Sequence, residues 1–333
     1  MAAVDHVSVL LNEAVEILNP RAGGRYIDGT LGGGGHAAEL LERSGPDGRL
    51  LGLDLDPEAI ERVRQRLARF GDRVILVHDS FANIERVARW EGFAPVDGIL
   101  LDLGLSSFQL ASAERGFGFG IPAPLDMRFN RNGPGPLARD LVNTLSAEAL
   151  TDILRRYGEE PRARQIARAI VQARARHPIE TTAELAQVVE RAAHRVGRTH
   201  PATRTFQALR IAVNHELEAL EKALPEAIEI LGPGGRLAII SFHSLEDRIV
   251  KHFFRSLANP CTCPPGLPMC VCGKKPTVRV LTRGGVRPTP DEIATNPRSR
   301  SATLRAVEKL ARDTAPVATP ASDDSSDESE PGA

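Results

Sequence analysis

The residues best suited to chemistry gather in one glycine-rich stretch and at the ends of apolar runs. The stretch is Asp28-Gly29-Thr30-Leu31-Gly32-Gly33-Gly34-Gly35-His36, set between a strand-like and a helix-like segment. Glycines let the backbone turn tightly and approach a ligand closely. A helix starting there adds unpaired N–H groups and the positive end of its dipole, which suits a phosphate or a cofactor carboxylate equally well. Asp54 ends the next apolar run, where a carboxylate can hold ribose hydroxyls. Asp102 ends the fourth run and opens Asp102-Leu103-Gly104-Leu105-Ser106-Ser107. Ligands of open α/β sheets sit beyond the carboxyl ends of the strands, so Asp102 should face the reacting group; the structural alternative is that it caps the next segment. Phe81, after the third run, could pack on an adenine or in the core. His36 could contact a cofactor or fill the first helical turn.

Two further features carry chemistry. All four cysteines fall in Cys261-x-Cys263 and Cys270-x-Cys272. In a cytoplasmic chain this favours a metal over disulfides, and four thiolates could make a structural zinc site, although the usual spacing is Cys-x-x-Cys. Charge is also uneven. Residues 248–312 carry thirteen Lys and Arg against three acids, while residues 313–333 carry six acids and no base, within a net charge of −1. The basic segment suits a polyanionic partner, or is a solvated surface.

The elements that must position these groups can be read from periodicity. Apolar runs at 25–28, 49–54, 73–78 and 98–102 alternate with helical patterns such as 57–70, where Ile60, Val63 and Leu67 share a face. This rhythm predicts an α/β fold with a doubly wound, mostly parallel sheet covered on both faces. A Gly- and Pro-rich stretch at 106–136 interrupts it, followed by about four helices. Ser146 can cap one, Pro178 stops another, and Thr181-x-x-Glu184 forms a capping box for a third. The fourth carries the stripe Phe206, Leu209, Val213, Leu217, Leu220 and Leu224. Strand character returns at 236–241, 278–281 and 301–307. The organisation expected is one α/β domain, residues 1–105 and 216–312, interrupted by a helical domain, 106–215, with a disordered acidic tail, 313–333. No stretch approaches the roughly 20 apolar residues of a membrane span. Residues 1–18 carry Asp5, Glu13 and Glu16 and no Lys or Arg, unlike a signal peptide, so a cytoplasmic location is expected.

The glycine loop does not separate cofactor classes, because Gly32-x-Gly34-x-x-Ala37 also fits a loose dinucleotide fingerprint. Two features favour S-adenosylmethionine and methyl transfer over a nicotinamide. The turn Leu231-Gly232-Pro233-Gly234-Gly235 resembles that before the fifth strand of class I (Rossmann-like) methyltransferases. The two terminal strands could supply the antiparallel hairpin that closes such a sheet, and no second mononucleotide-binding half is visible.

Longer stretches resemble one family, the MraW or ribosomal RNA small subunit methyltransferase H family. They include His6-x-x-Val9-Leu10-Leu11-x-Glu13, Asp28-Gly29-Thr30 with Gly34-Gly35-His36, and Asp97-Gly98-Ile99-Leu100-Leu101-Asp102-Leu103-Gly104. Glu114-Arg115-Gly116-Phe117, Leu125-Asp126-Met127-Arg128 and Tyr157-Gly158-Glu159-Glu160 continue the series. His200-Pro201-Ala202-Thr203-Arg204-Thr205-Phe206-Gln207, Ser241-Phe242-His243-Ser244-Leu245-Glu246-Asp247-Arg248 and Asn296-Pro297-Arg298-Ser299-Arg300-Ser301 complete it, so that it covers roughly residues 6–308. The resemblance implies S-adenosylmethionine-dependent methylation of the exocyclic N4 of a cytidine in the decoding region of 16S rRNA. The partner implied is 16S rRNA or the small ribosomal subunit, with no DNA and no membrane. Matched by position, the family's cofactor contacts fall on Gly34, Gly35, His36, Asp54, Phe81, Asp102 and Gln109.

The chemistry of such a reaction is mostly positioning. A cytosine amine is a poor nucleophile because its lone pair is delocalised into the ring. An acceptor for one N–H would localise that pair, and either Asp102 or the 241–247 loop could provide it. The base must also leave its stack to reach a buried cofactor, which single-stranded loops allow. For RNA contacts the sequence offers Thr203, Arg204, Gln207, Arg210 and Asn214 along one helix, His243, and Arg298, Arg300 and Arg305 near the end. A polar helix face of this kind can also be merely solvated.

Overall fold

The four leading apolar runs form parallel strands: β1 (Arg25–Asp28), β2 (Arg49–Asp54), β3 (Val74–His78) and β4 (Val96–Asp102). A computed structural model describes residues 7–120, 122–193, 200–264 and 271–311. Three more strands, β5 (Leu231–Ser241), β6 (Val278–Val280) and β7 (Thr303–Lys309), complete a seven-stranded sheet of order β3-β2-β1-β4-β5-β7-β6. β5 runs parallel to β4, and β7 alone runs against the rest, antiparallel to both β5 and β6. The chain is therefore of the α/β class I methyltransferase fold, with the doubly wound sheet and closing hairpin expected from the sequence.

Alternate residues of each strand serve opposite faces. Ile27, Leu51, Leu53, Ile99, Leu101 and Ile239 enter one core, and Tyr26, Leu50, Leu100, Ala238 and Ile240 enter another. Both faces are apolar because helices cover both. The helix Pro57–Leu67 illustrates the local logic. Asp56 caps it by accepting from the Glu58 N–H at 3.0 Å, Pro57 sits in the first turn, and Ala59, Ile60, Val63 and Leu67 are buried.

Five helices among the described residues, Ala138–Thr144, Ala147–Arg156, Ala163–Arg174, Thr182–Ala193 and Thr203–Asn214, surround a third core. The Ser146 cap and the Thr181/Glu184 capping box form as read from the sequence. The single long helix expected around Phe206–Leu224 does not. It breaks at His215, whose φ of 51° ends the helix Thr203–Asn214 and begins Glu216–Ile230. The break lets one apolar stripe feed two cores: Phe206, Leu209 and Val213 pack with the helical layer, and Leu220 and Leu224 with the sheet. No helix of the described residues is long and apolar enough to cross a membrane.

Candidate functional site

The site begins at the turn between β1 and the helix Gly35–Arg43. Gly34 caps that helix in the left-handed region, at φ 74°, which glycine adopts without strain. A Cβ on Gly35 would lie 2.0 Å from Ser8 Oγ, so only glycine lets the helix start press against residues 8–9. The loop is then fastened to both flanking strands. The Leu31 N–H donates to Leu53 O at 3.2 Å, and the Gly29 N–H to Leu100 O at 2.9 Å.

Three carboxyls converge beyond the strand ends. Asp54 accepts from the Gly32 and Asp56 N–H groups, each at 2.8 Å, yet burial lifts its pKa to about 6. Asp28 is buried, accepts from the Thr30 N–H at 3.1 Å, and rises to about 7, again chiefly by burial. Asp102 is pushed well above the carboxylate range by burial first, then by the charges of Asp28 and Glu246. Its N–H donates to Thr30 Oγ1 at 2.6 Å, and its Oδ1 is buried without a hydrogen-bond partner among the described residues. Its Oδ2 lies 3.7 Å from His36 Nδ1. The other imidazole nitrogen, Nε2, lies 3.0 Å from Val9 O, which can only accept. Nε2 therefore carries a proton, and the Nδ1 edge is left facing Asp102.

A second set of residues closes the same cavity from the far side. The break at His215 brings Asn214 and Glu216 to its wall, with Phe129, Phe242, Glu246 and Arg298. Asn214 is pinned by accepting from the Phe129 N–H at 2.8 Å and donating to Met127 O at 2.7 Å. Glu216 holds Arg210 through two bonds, at 2.7 and 2.9 Å. Glu246 accepts from the Phe242 N–H at 2.9 Å and lies 3.1 Å from His243 Nε2. Burial would raise Glu246, but His243 and Arg210 outweigh it and hold the carboxyl below its usual range. The Ser106/Gln109 capping box and Arg115 anchor the intervening loop. Gln109 Nε2 donates to Asp56 at 3.1 Å, and the buried Arg115 donates to the same carboxylate at 2.9 Å and to Phe129 O at 2.7 Å.

Of the residues singled out in the sequence, His36, Asp54, Phe81, Asp102, Gln109, Asn214 and Arg298 line this one cavity. Gly34 and Gly35 are not among its lining residues; they shape the turn that starts the adjoining helix. The expected RNA contacts divide. Arg298, at the cavity wall, and Arg300 are both exposed, and Arg204 is exposed while donating to Glu159 O at 3.2 Å. Arg210 and Arg305 differ from the expectation. Each is committed to an internal carboxylate, Arg210 to Glu216 and Arg305 to Asp247 at 2.6 Å, with side chains only 13% and 12% exposed. Gln207 binds Tyr157 O at 3.0 Å, and His243 caps the helix Ser244–Ala258. Sequence reading gave no individual role to Asp28, Asp56, Arg115, Glu216 and Glu246. Asp28, Arg115 and Glu246 stood inside quoted motifs, but burial, which gives all five their roles, has no local signature. Away from the cavity, Cys261, Cys263 and Cys272 have their sulfurs within 4.8 Å of one another, while Cys270 lies outside the described residues, as does the 313–333 tail.

The arrangement is a cavity at the carboxyl ends of β1, β2 and β4, lined by carboxyl groups on one wall and roofed by a loop and a helix break. Known proteins match it along nearly the whole chain. A ribosomal RNA small subunit methyltransferase H from Thermomicrobium roseum is 56% identical over 309 residues, covering 92% of this chain and 94% of that protein. The protein of the same name from Syntrophotalea carbinolica is 54% identical, covering 92% and 98%. A family model described as the MraW methylase family matches residues 3–310, and the chain belongs to that family.

Proposed function

We propose that the chain transfers the methyl group of S-adenosylmethionine to the exocyclic N4 of a cytidine in the decoding region of 16S rRNA, in the cytoplasm. The single observation that carries this reading is the position of Asp102. It stands between the glycine-loop side of the cavity and the side built by Phe129, Asn214, Phe242 and Glu246, with a buried Oδ1 lacking a donor. An amine N–H would satisfy that oxygen and localise the nitrogen lone pair toward the methyl donor.

The cofactor's fit rests on charge and shape. Asp28, Asp54 and Asp102 crowd together at the strand ends, each raised in pKa, and a cationic sulfonium would relieve the crowding and favour the ionised forms. When bound, the cofactor supplies an electrophilic methyl group, and no metal is needed for its transfer. Asp54 would hold the ribose hydroxyls, Phe81 would pack on the adenine, and Gly34, Gly35, His36 and Gln109 would shape and close the pocket. Asp102 acts as the acceptor that orients the nucleophile. The substrate class follows the named relatives and the basic composition of residues 248–312. Arg298, which lines the cavity, and the exposed Arg300 two residues on are suited to phosphates, with Arg204 and the 200–214 helix as a further contact. The division into a methyltransferase domain, residues 1–105 and 216–312, and an inserted helical domain, 106–215, fits a cavity whose lining comes from both. A second ligand, a structural zinc ion on the cysteine loop, would take no part in transfer.

The test is mass-spectrometric mapping of 16S rRNA nucleosides from cells with and without the protein. Loss of one N4-methylated cytidine, restored by the wild-type chain, is expected. An unchanged modification pattern refutes the reading.

A further inference from the structure

We infer that Cys261, Cys263 and Cys272 hold a zinc ion that fastens the end of the helix Ser244–Ala258 to the hairpin strand β6. Cys261 and Cys263 follow that helix, and Cys272 precedes β6, so the three span the connection between an inner layer and the sheet edge. Their sulfurs fit one ion. A tetrahedral zinc with Zn–S bonds of about 2.3 Å separates its thiolates by about 3.8 Å. The sulfurs of Cys261 and Cys272 are 3.9 Å apart, and all three lie within 4.8 Å of one another.

The surrounding backbone is built for thiolates. The Val271 N–H donates to Cys263 Sγ at 3.3 Å, an interaction that favours the charged sulfur. Gly273 takes a φ of 65°, which lets the chain turn back immediately after Cys272. Lys274 and Lys275 follow, and their charge offsets the net −1 of three thiolates on a divalent ion. Soft sulfur ligands select zinc over the hard cations that prefer oxygen. Three thiolates leave one tetrahedral position for a further ligand.

The described part of this loop has little apolar packing of its own. Val271 is 78% exposed, and the described residues between Asn259 and Pro276 bury no apolar side chain. Small segments with little apolar burial commonly rely on a metal. None of the three cysteines lines the methyl-transfer cavity, so the ion would be structural.

The experiment uses the untagged full-length chain, produced in zinc-supplemented medium and purified without chelator. Elemental analysis should find about one zinc per chain, as one closed site requires. The thiols should react slowly with a thiol reagent until a chelator removes the metal. Cobalt(II) exchanged into the chain should give a thiolate charge-transfer band and a tetrahedral visible spectrum. The Cys261→Ser/Cys263→Ser variant should lose the zinc and melt at a lower temperature. If that variant does not fold, the cobalt spectrum and thiol protection of the native chain decide alone. Metal-free protein whose thiols react at once would overturn the inference, as would full retention of zinc by a folded double variant.

Discussion

Replacing Asp54 with alanine tests the ribose-holding role assigned to it. Both of its oxygens already accept backbone N–H groups, from Gly32 and Asp56 at 2.8 Å, so the carboxylate is fixed before any ligand arrives. Hydrogen bonds to charged acceptors contribute about 1.5–3 kcal/mol, so the alanine variant should bind S-adenosylmethionine roughly 10- to 150-fold more weakly. Asp54→Asn should fall between, because an amide oxygen still accepts while its NH2 opposes the loop N–H groups. A pH dependence goes with this. Burial raises the folded-state pKa of Asp54 to about 6, so the protonated form gains as pH falls through 6. That form accepts hydrogen bonds less well, and wild-type affinity should decline below pH about 6, whereas the Asn variant should show a flatter profile. Calorimetric titration across that range measures both effects. Unchanged affinity in a folded Asp54→Ala variant would remove Asp54 from the cofactor site and refute the reasoning.

Two further outcomes are expected. Arg115→Met should lower stability by about 3–5 kcal/mol, because the buried Asp56 carboxylate loses its 2.9 Å partner, and a thermal melt would register this as a large drop in Tm; a melt within a degree or so of wild type would contradict it. The double change Arg298→Ala/Arg300→Ala should weaken RNA binding and reduce its salt dependence by roughly one unit of slope per lost phosphate contact, with cofactor affinity kept. Loss of cofactor affinity with a normal salt slope would instead make these arginines structural.

Much of this molecule was legible in its sequence because a covered parallel sheet announces itself. The runs ending at Asp28, Asp54 and Asp102 were continuous and apolar, and each carboxylate marked a strand end where ligands gather. The glycine loop was equally plain, since Gly34 and Gly35 meet steric demands that other residues cannot. The break at His215 was not legible. Phe206 to Leu224 keep a helical period through it, and what separates them is which core each half enters. The only local hint is Asn214-His215, two residue types that tolerate positive φ. The internal pairing of Arg210 and Arg305 was not legible for a related reason. A polar stripe read from composition cannot reveal that Glu216, beyond the break, and Asp247, on another helix, lie within reach. Glu246 was visible as part of a motif, but its place against His243 and Phe242 depends on tertiary packing.

In the proposed mechanism Asp102 orients a cytidine amine for methyl transfer. The most direct measurement is single-turnover transfer of a labelled methyl group from S-adenosylmethionine to 16S rRNA or small subunits, with the product nucleoside identified by mass spectrometry. Wild-type protein should yield N4-methylcytidine. Asp102→Ala should lower the rate by at least about 100-fold while still binding RNA, as expected when a positioned acceptor is removed. Transfer by that variant at the wild-type rate would remove Asp102 from the mechanism, and a product methylated elsewhere than N4 would overturn the assigned reaction.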